Sequence, residues 1–194
     1  MPGDRVAILA ENRLEWALAD FGILTAGAAT VPIYATLTAA MARHILFDSE
    51  ARLVLVSTAE QLAKVRSIAG ELPGLQTAVL MDPARGESIG AVTWADLLVE
   101  GRAALAKDPE AARRLGDAVT PETIATVIYT SGTTGVPKGV MLTHANLVSN
   151  VRDALLDFVI GPADSAVSVL PLSHIFERMA GHFMRGERPG HTMQ

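Results

Sequence analysis

Two rhythms of apolar residues alternate through the first half of the chain. The runs RVAILA (5–10), ATVPIY (29–34), RLVLVS (52–57) and QTAVLM (76–81) have strand length and little polar interruption. Strands buried on both faces read in this way. Between the first two runs, Leu14, Ala17, Leu18, Phe21 and Leu24 recur at helical spacing. Asn12 stands three residues before Glu15, a capping-box spacing, and Gly27 can end that helix. Thr38 predicts the cap of a helix reaching Ser49. Thr58 with Gln61 forms a second capping box ahead of a Leu62, Val65, Ile68, Leu72 stripe, which Pro73-Gly74 stops. Strand–helix–strand repetition of this kind predicts an α/β fold, a mostly parallel sheet flanked by helices.

The second half is more polar. Residues 82–91 read as a loop, and the alanine-rich, charged stretch 101–120 as a surface helix or hairpin element. IATVIY (124–129) and GVMLTH (139–144) are strands, and Thr143 can cap the helix that follows. SAVSVLPLSH (165–174) is expected to be a further strand delivering a polar cluster. In that cluster His174, Glu177 and Arg178 have the i, i+3, i+4 spacing of one helix face, with Ser173 as a cap. Glu177 and Arg178 read as a network pinning that helix, and His174 as facing a cleft. Trp16 and Trp94 belong to the core. Packing or solvation accounts for His44 and His144. His182 and His191 have no partner at metal-ligand spacing.

Composition narrows the function classes. Of 194 residues 49% are apolar, enough to build a core and against disorder. The net charge of −5 argues against a nucleic-acid partner. Without cysteine there are no disulfides and no thiolate metal site, which fits a cytoplasmic setting. The amino-terminal residues lack a signal-peptide pattern, and no apolar run nears the ~18 residues of a spanning helix.

The chemistry concentrates in YTSGTTGVPKG (129–139). Glycines let a backbone approach a ligand closely, hydroxyls and N–H groups converge as donors, and Lys138 adds a full charge. A polyphosphate suits such a loop; a flexible hairpin tip is the plainer reading. The stretch is not a Walker loop, since Pro137 stands where that pattern needs its second glycine and Gly139 where it needs Ser or Thr.

The longer string YTSGTTGVPKGVMLTH resembles the phosphate-binding signature of the adenylate-forming (AMP-binding) superfamily, which includes acyl-CoA synthetases. LPLSHIFERMAG and the amino-terminal segment from Pro2 are similar to the long-chain fatty acyl-CoA synthetases in particular. The resemblance implies that Thr130, Ser131, Gly132, Thr133, Thr134, Gly135 and Lys138 contact the ATP phosphates and that Thr130 helps hold Mg²⁺. It implies catalytic roles for Lys138 and for His174, the latter beside the acyl-adenylate. Fatty acid, ATP and coenzyme A would be the reactants, and peripheral membrane contact is compatible with the product. An adenylate-forming ligase for another acid and a non-catalytic nucleotide-binding or interaction piece are the alternatives.

The resemblance also implies an incomplete amino-terminal portion: residues 1–185 as a partial AMP-binding domain and 186–194 as a divergent tail. The adenine, ribose and carboxyl-terminal lysine motifs of that family are not in the string. The chain alone is therefore expected not to turn over, and to be poorly soluble.

Overall fold

The computed structural model describes residues 1–82, 91–130, 136–157 and 167–179. Seven strands form one sheet: β1 (Arg5–Leu9), β2 (Ala29–Ile33), β3 (Leu53–Val56), β4 (Thr77–Leu80), β5 (Val92–Thr93), β6 (Ile124–Thr130) and β7 (Lys138–Thr143). Their order is β5-β4-β3-β1-β2-β6-β7, parallel throughout except for the antiparallel β6–β7 pair. The expected mostly parallel α/β architecture is what the chain adopts.

Successive strand residues face opposite sides of a sheet, so each strand feeds two cores. On one side Leu9, Val31, Ile33, Val54 and Val56 pack under α2 (Ala39–Asp48) and α3 (Ala59–Ile68), which contribute Ile45, Leu46, Leu62 and Val65. On the other, Ile8, Leu55 and Val79 meet Trp16, Ala19 and Ile23 of α1 (Leu14–Thr25) and the partly buried Trp94 of α4 (Trp94–Lys107). Both tryptophans thus belong to the core. The stretch 101–120 is helical: it holds the end of α4 and the short α5 (Ala111–Asp117). After β7 comes α6 (His144–Asp157).

Several caps follow the sequence. Thr38 accepts from the Met41 N–H at 3.3 Å and Thr58 from the Gln61 N–H at 3.4 Å. Thr143 accepts from the Asn146 N–H at 3.2 Å while Asn146 Oδ1 accepts from the Thr143 N–H at 3.0 Å.

Other expectations are corrected. Asn12 does not cap α1; Arg13 occupies that position and makes no side-chain cap bond. Asn12 spends its amide elsewhere, donating to the Leu170 carbonyl at 2.7 Å and accepting from the Leu172 N–H at 2.6 Å. Residues 167–174 form no strand, because this side-chain clasp takes up backbone groups that a ladder would use. The buried face of α1 is Trp16, Ala19, Asp20, Ile23 and Leu24, whereas Leu14 and Leu18 are 71% and 51% exposed.

Asp20 explains that rotated face. Arg178 grips its carboxylate in two places, Nε to Oδ2 at 2.7 Å and Nη2 to Oδ1 at 2.6 Å, with both side chains fully buried. Thr30 Oγ1 donates to the same Oδ1 at 2.6 Å, and Thr126 Oγ1 donates to the Thr30 carbonyl at 2.7 Å. Charge-assisted bonds of this kind are what offset the cost of burying a charge pair. The Glu177–Arg178 network is replaced by this Asp20–Arg178 pair, which ties the 175–179 segment to α1, β2 and β6.

Candidate functional site

In an open parallel sheet ligands bind outside the carboxyl ends of the strands, where the connecting loops gather. Connections leave β1 and β3 in opposite directions, opening one crevice between their carboxyl ends. Arg13 bridges it, donating to the Ser57 carbonyl at 3.2 Å and pairing with Glu15 at 2.9 Å. Further along the same edge lies the end of β6.

There Thr130, the last residue of β6, pairs across the hairpin with Lys138, the first of β7. Both are exposed, and the two residues stand opposite each other at the sheet's carboxyl edge. Ser131, Gly132, Thr133, Thr134 and Gly135 lie outside the described residues. The structure therefore brings two of the seven predicted phosphate contacts together and leaves the other five undescribed.

The strands below this rung are specially built. Tyr129 pairs with Gly139, and its hydroxyl donates to Asp48 Oδ2 at 2.6 Å. Burial first, and then the Asp48 carboxylate, push the Tyr129 phenol well above its ordinary range, so it stays a donor. A Cβ on Gly139 would meet Val127 Cγ1 at 2.9 Å and Tyr129 Cζ at 3.1 Å. The glycine is there to let the tyrosine ring lie across the strand. His44 of α2 donates from Nε2 to the Pro137 carbonyl at 2.9 Å and stands edge-on to Tyr129, ring centres 6.1 Å apart. Sequence reading assigned His44 to packing or solvation and missed this contact. His44 and Pro137 are 93 residues apart, and no local pattern couples them.

His174 also reaches the carboxyl edge. Ser173 Oγ donates to the Ile33 carbonyl, the last of β2, at 3.3 Å, and β2 is the parallel neighbour of β6. Ser173 is therefore not the cap of the following turn, α7 (Ile175–Glu177). His174 takes that role, its Nδ1 accepting from the Phe176 N–H at 3.2 Å. That bond leaves Nδ1 without a proton, so the neutral ring carries its hydrogen on Nε2, the nitrogen turned away from the cap. His174 is exposed, while Glu177 and Arg178 are buried; the three do not share one face.

A cavity of about 560 Å³ follows the α2 flank of the hairpin. Its lining runs from Arg5, Ala29 and Ile124, the first residues of their strands, to Asp48, Tyr129 and Gly139 just below the Thr130–Lys138 rung. Among the described residues no three His, Cys, Asp or Glu side chains converge as a metal-binding cluster. Nor is any described helix long and apolar enough to cross a membrane.

The carboxyl edge thus carries the Thr130–Lys138 pair, with His174 next to the Ser173 that bonds the end of β2. The chain belongs to the AMP-binding enzyme family, whose model matches residues 1–188. It is 36% identical over 178 residues to the long-chain-fatty-acid–CoA ligase FadD15 of Mycobacterium tuberculosis, covering 91% of this chain and 28% of that one. With human long-chain-fatty-acid–CoA ligase 1 the identity is 34% over 185 residues, covering 92% and 26%. Among solved structures, the N-terminal domain of FACL13 from Mycobacterium tuberculosis superposes with a TM-score of 0.70 at 26% identity, covering 95% of this chain and 42% of that one. The chain thus spans about a quarter of the length of the curated relatives it matches.

Proposed function

We propose that this chain carries the phosphate grip of an enzyme that activates a long-chain fatty acid with ATP and passes it to coenzyme A. In that reaction a carboxylate oxygen attacks the α-phosphate, the bond to the bridging oxygen breaks, and pyrophosphate leaves. The coenzyme A thiol then attacks the acyl carbon and AMP departs. Charge accumulates on the leaving pyrophosphate, so donors already fixed at its position lower the barrier without reorganising. Lys138 and Thr130 supply a cation and a hydroxyl for it, and Ser131, Gly132, Thr133, Thr134 and Gly135 complete the grip.

The Thr130–Lys138 rung at the sheet's carboxyl edge is the observation that carries this reading. Mg²⁺ would enter with ATP, keeping phosphate and water oxygens around it, and Thr130 would offer it a hydroxyl. His174, with its Nε2–H turned outward, is assigned a donor role beside the acyl-adenylate. The fatty acid as substrate follows from the names of the relatives and from the LPLSHIFER wording.

Calorimetric titration of the 194-residue chain with Mg·ATP, Mg·pyrophosphate and AMP tests the grip. ATP and pyrophosphate are expected to bind at least tenfold more tightly than AMP. Equal affinity for AMP and ATP would overturn the assignment. Because the chain spans so little of its relatives, a coupled assay with ATP, palmitate and coenzyme A is expected to give no thioester from it. ATP binding without thioester formation, even when the chain is joined to a relative's remaining sequence, would favour a non-catalytic nucleotide-binding role.

A further inference from the structure

Helix α2 touches both stems of the Thr130–Lys138 hairpin through two of its side chains. On the outgoing stem, His44 Nε2 donates to the Pro137 carbonyl at 2.9 Å. That carbonyl belongs to the peptide joining Pro137 to Lys138. The bond restrains the peptide plane that carries the Lys138 N–H, and with the β6–β7 pairing it limits the directions open to the Lys138 side chain. On the incoming stem, Asp48, one turn further along α2, accepts from the Tyr129 hydroxyl at 2.6 Å, one residue before Thr130. The two stems are then locked to each other where Tyr129 lies against Gly139, whose missing Cβ leaves room for the ring.

We propose that α2 is a positioning platform for the phosphate grip and that His44 is the residue that aims Lys138. The inference rests on the nucleotide reading given above. Lysine carries its charge on a flexible four-carbon stem, so the backbone direction at its base decides whether the ammonium meets the phosphates. Exposed hairpin ends fray readily. A bond from a helix packed on the sheet removes that freedom before ligand arrives, so less order has to be gained on binding. The bond runs from His44 Nε2–H to a backbone carbonyl of the stem, so it acts as a brace on the hairpin.

The test compares His44→Ala and His44→Gln in the 194-residue chain, with two readouts. Calorimetry with Mg·ATP is expected to show a dissociation constant about fivefold higher for His44→Ala, the effect of one lost hydrogen bond. His44→Gln, which keeps a side-chain N–H donor, should recover most of that loss. Limited trypsin cleavage after Lys138, scored against cleavage after Lys107 on the remote α4, reads stem order without nucleotide. Faster cleavage at Lys138 alone in His44→Ala, reversed in His44→Gln, supports the proposal. Faster cleavage at both sites alike would mean that His44 only holds the fold together, and would overturn it. So would unchanged cleavage and unchanged affinity. If the unmodified chain binds no Mg·ATP, the nucleotide reading fails by itself, and the cleavage ratio still decides whether His44 orders the stem.

Discussion

At the scale of single residues, Gly139 and His144 show two ways in which a position becomes intolerant. Gly139→Ala puts a Cβ 2.9 Å from Val127 Cγ1 and 3.1 Å from Tyr129 Cζ, closer than side chains pack. The clash is expected to cost about 1–3 kcal/mol, measured by denaturant unfolding, because neither the strand nor the bonded ring can move freely. In the Tyr129→Ala background the penalty should shrink. His144 is the opposite case, a polar group in a place that disfavours its charge. Its Nε2 is buried with no hydrogen-bond partner among the described residues. Burial first, and then the positive charge of Arg178, hold its pKa below the usual value of 6.5, against a smaller opposing pull from Asp20. The unfolded chain therefore binds this proton more readily than the folded one. Stability attributable to His144 is complete above about pH 6.5 and is lost as pH falls through the lower folded value. Unfolding free energies measured from pH 7.5 to 5 should decline less steeply in His144→Gln than in the unmodified chain. Equal slopes would remove His144 from the account.

At the scale of elements, legibility tracked how local the deciding contact is. The first four strands were readable because both their faces are apolar, so composition and length alone mark them. The caps of α2, α3 and α6 were readable because donor and acceptor lie three residues apart. The buried face of α1 was not, because it centres on a charged residue. Asp20 is paired with Arg178, 158 residues away, so hydrophobic spacing points instead to the exposed Leu14 and Leu18. Asn12 misled for the same reason, its amide being claimed by Leu170 and Leu172. In the candidate site the glycine and hydroxyl pattern announced the hairpin, while its brace from His44 and Asp48 is purely tertiary. Removing one member of the buried pair is expected to be severe. Asp20→Ala should destabilise the chain by about 3–5 kcal/mol, since it strands a buried guanidinium, and Arg178→Met should cost comparably. The double variant should cost less than the sum of the two, and strict additivity would show that the pair is not coupled.

At the scale of the whole molecule, apolar surface is left open on more than one side. Val140 and Met141 are 44% and 64% exposed on β7, the last strand in the sheet order, and Leu14 and Leu18 line the outer face of α1. An unpaired strand with apolar side chains is a template for association. Met141→Lys combined with Leu18→Lys should raise the concentration at which the chain stays monodisperse in light scattering, with little change in unfolding free energy. An unchanged aggregation threshold would mean that other surfaces drive association.

If the Thr130–Lys138 rung meets the terminal phosphates of a nucleotide, phosphorus NMR of Mg·ATP reads that contact atom by atom. On adding the 194-residue chain, the β- and γ-phosphate resonances are expected to broaden and shift more than the α resonance, and Lys138→Ala should abolish the difference while leaving the fold intact. Equal perturbation of all three resonances, or a pattern that survives Lys138→Ala unchanged, would contradict the account.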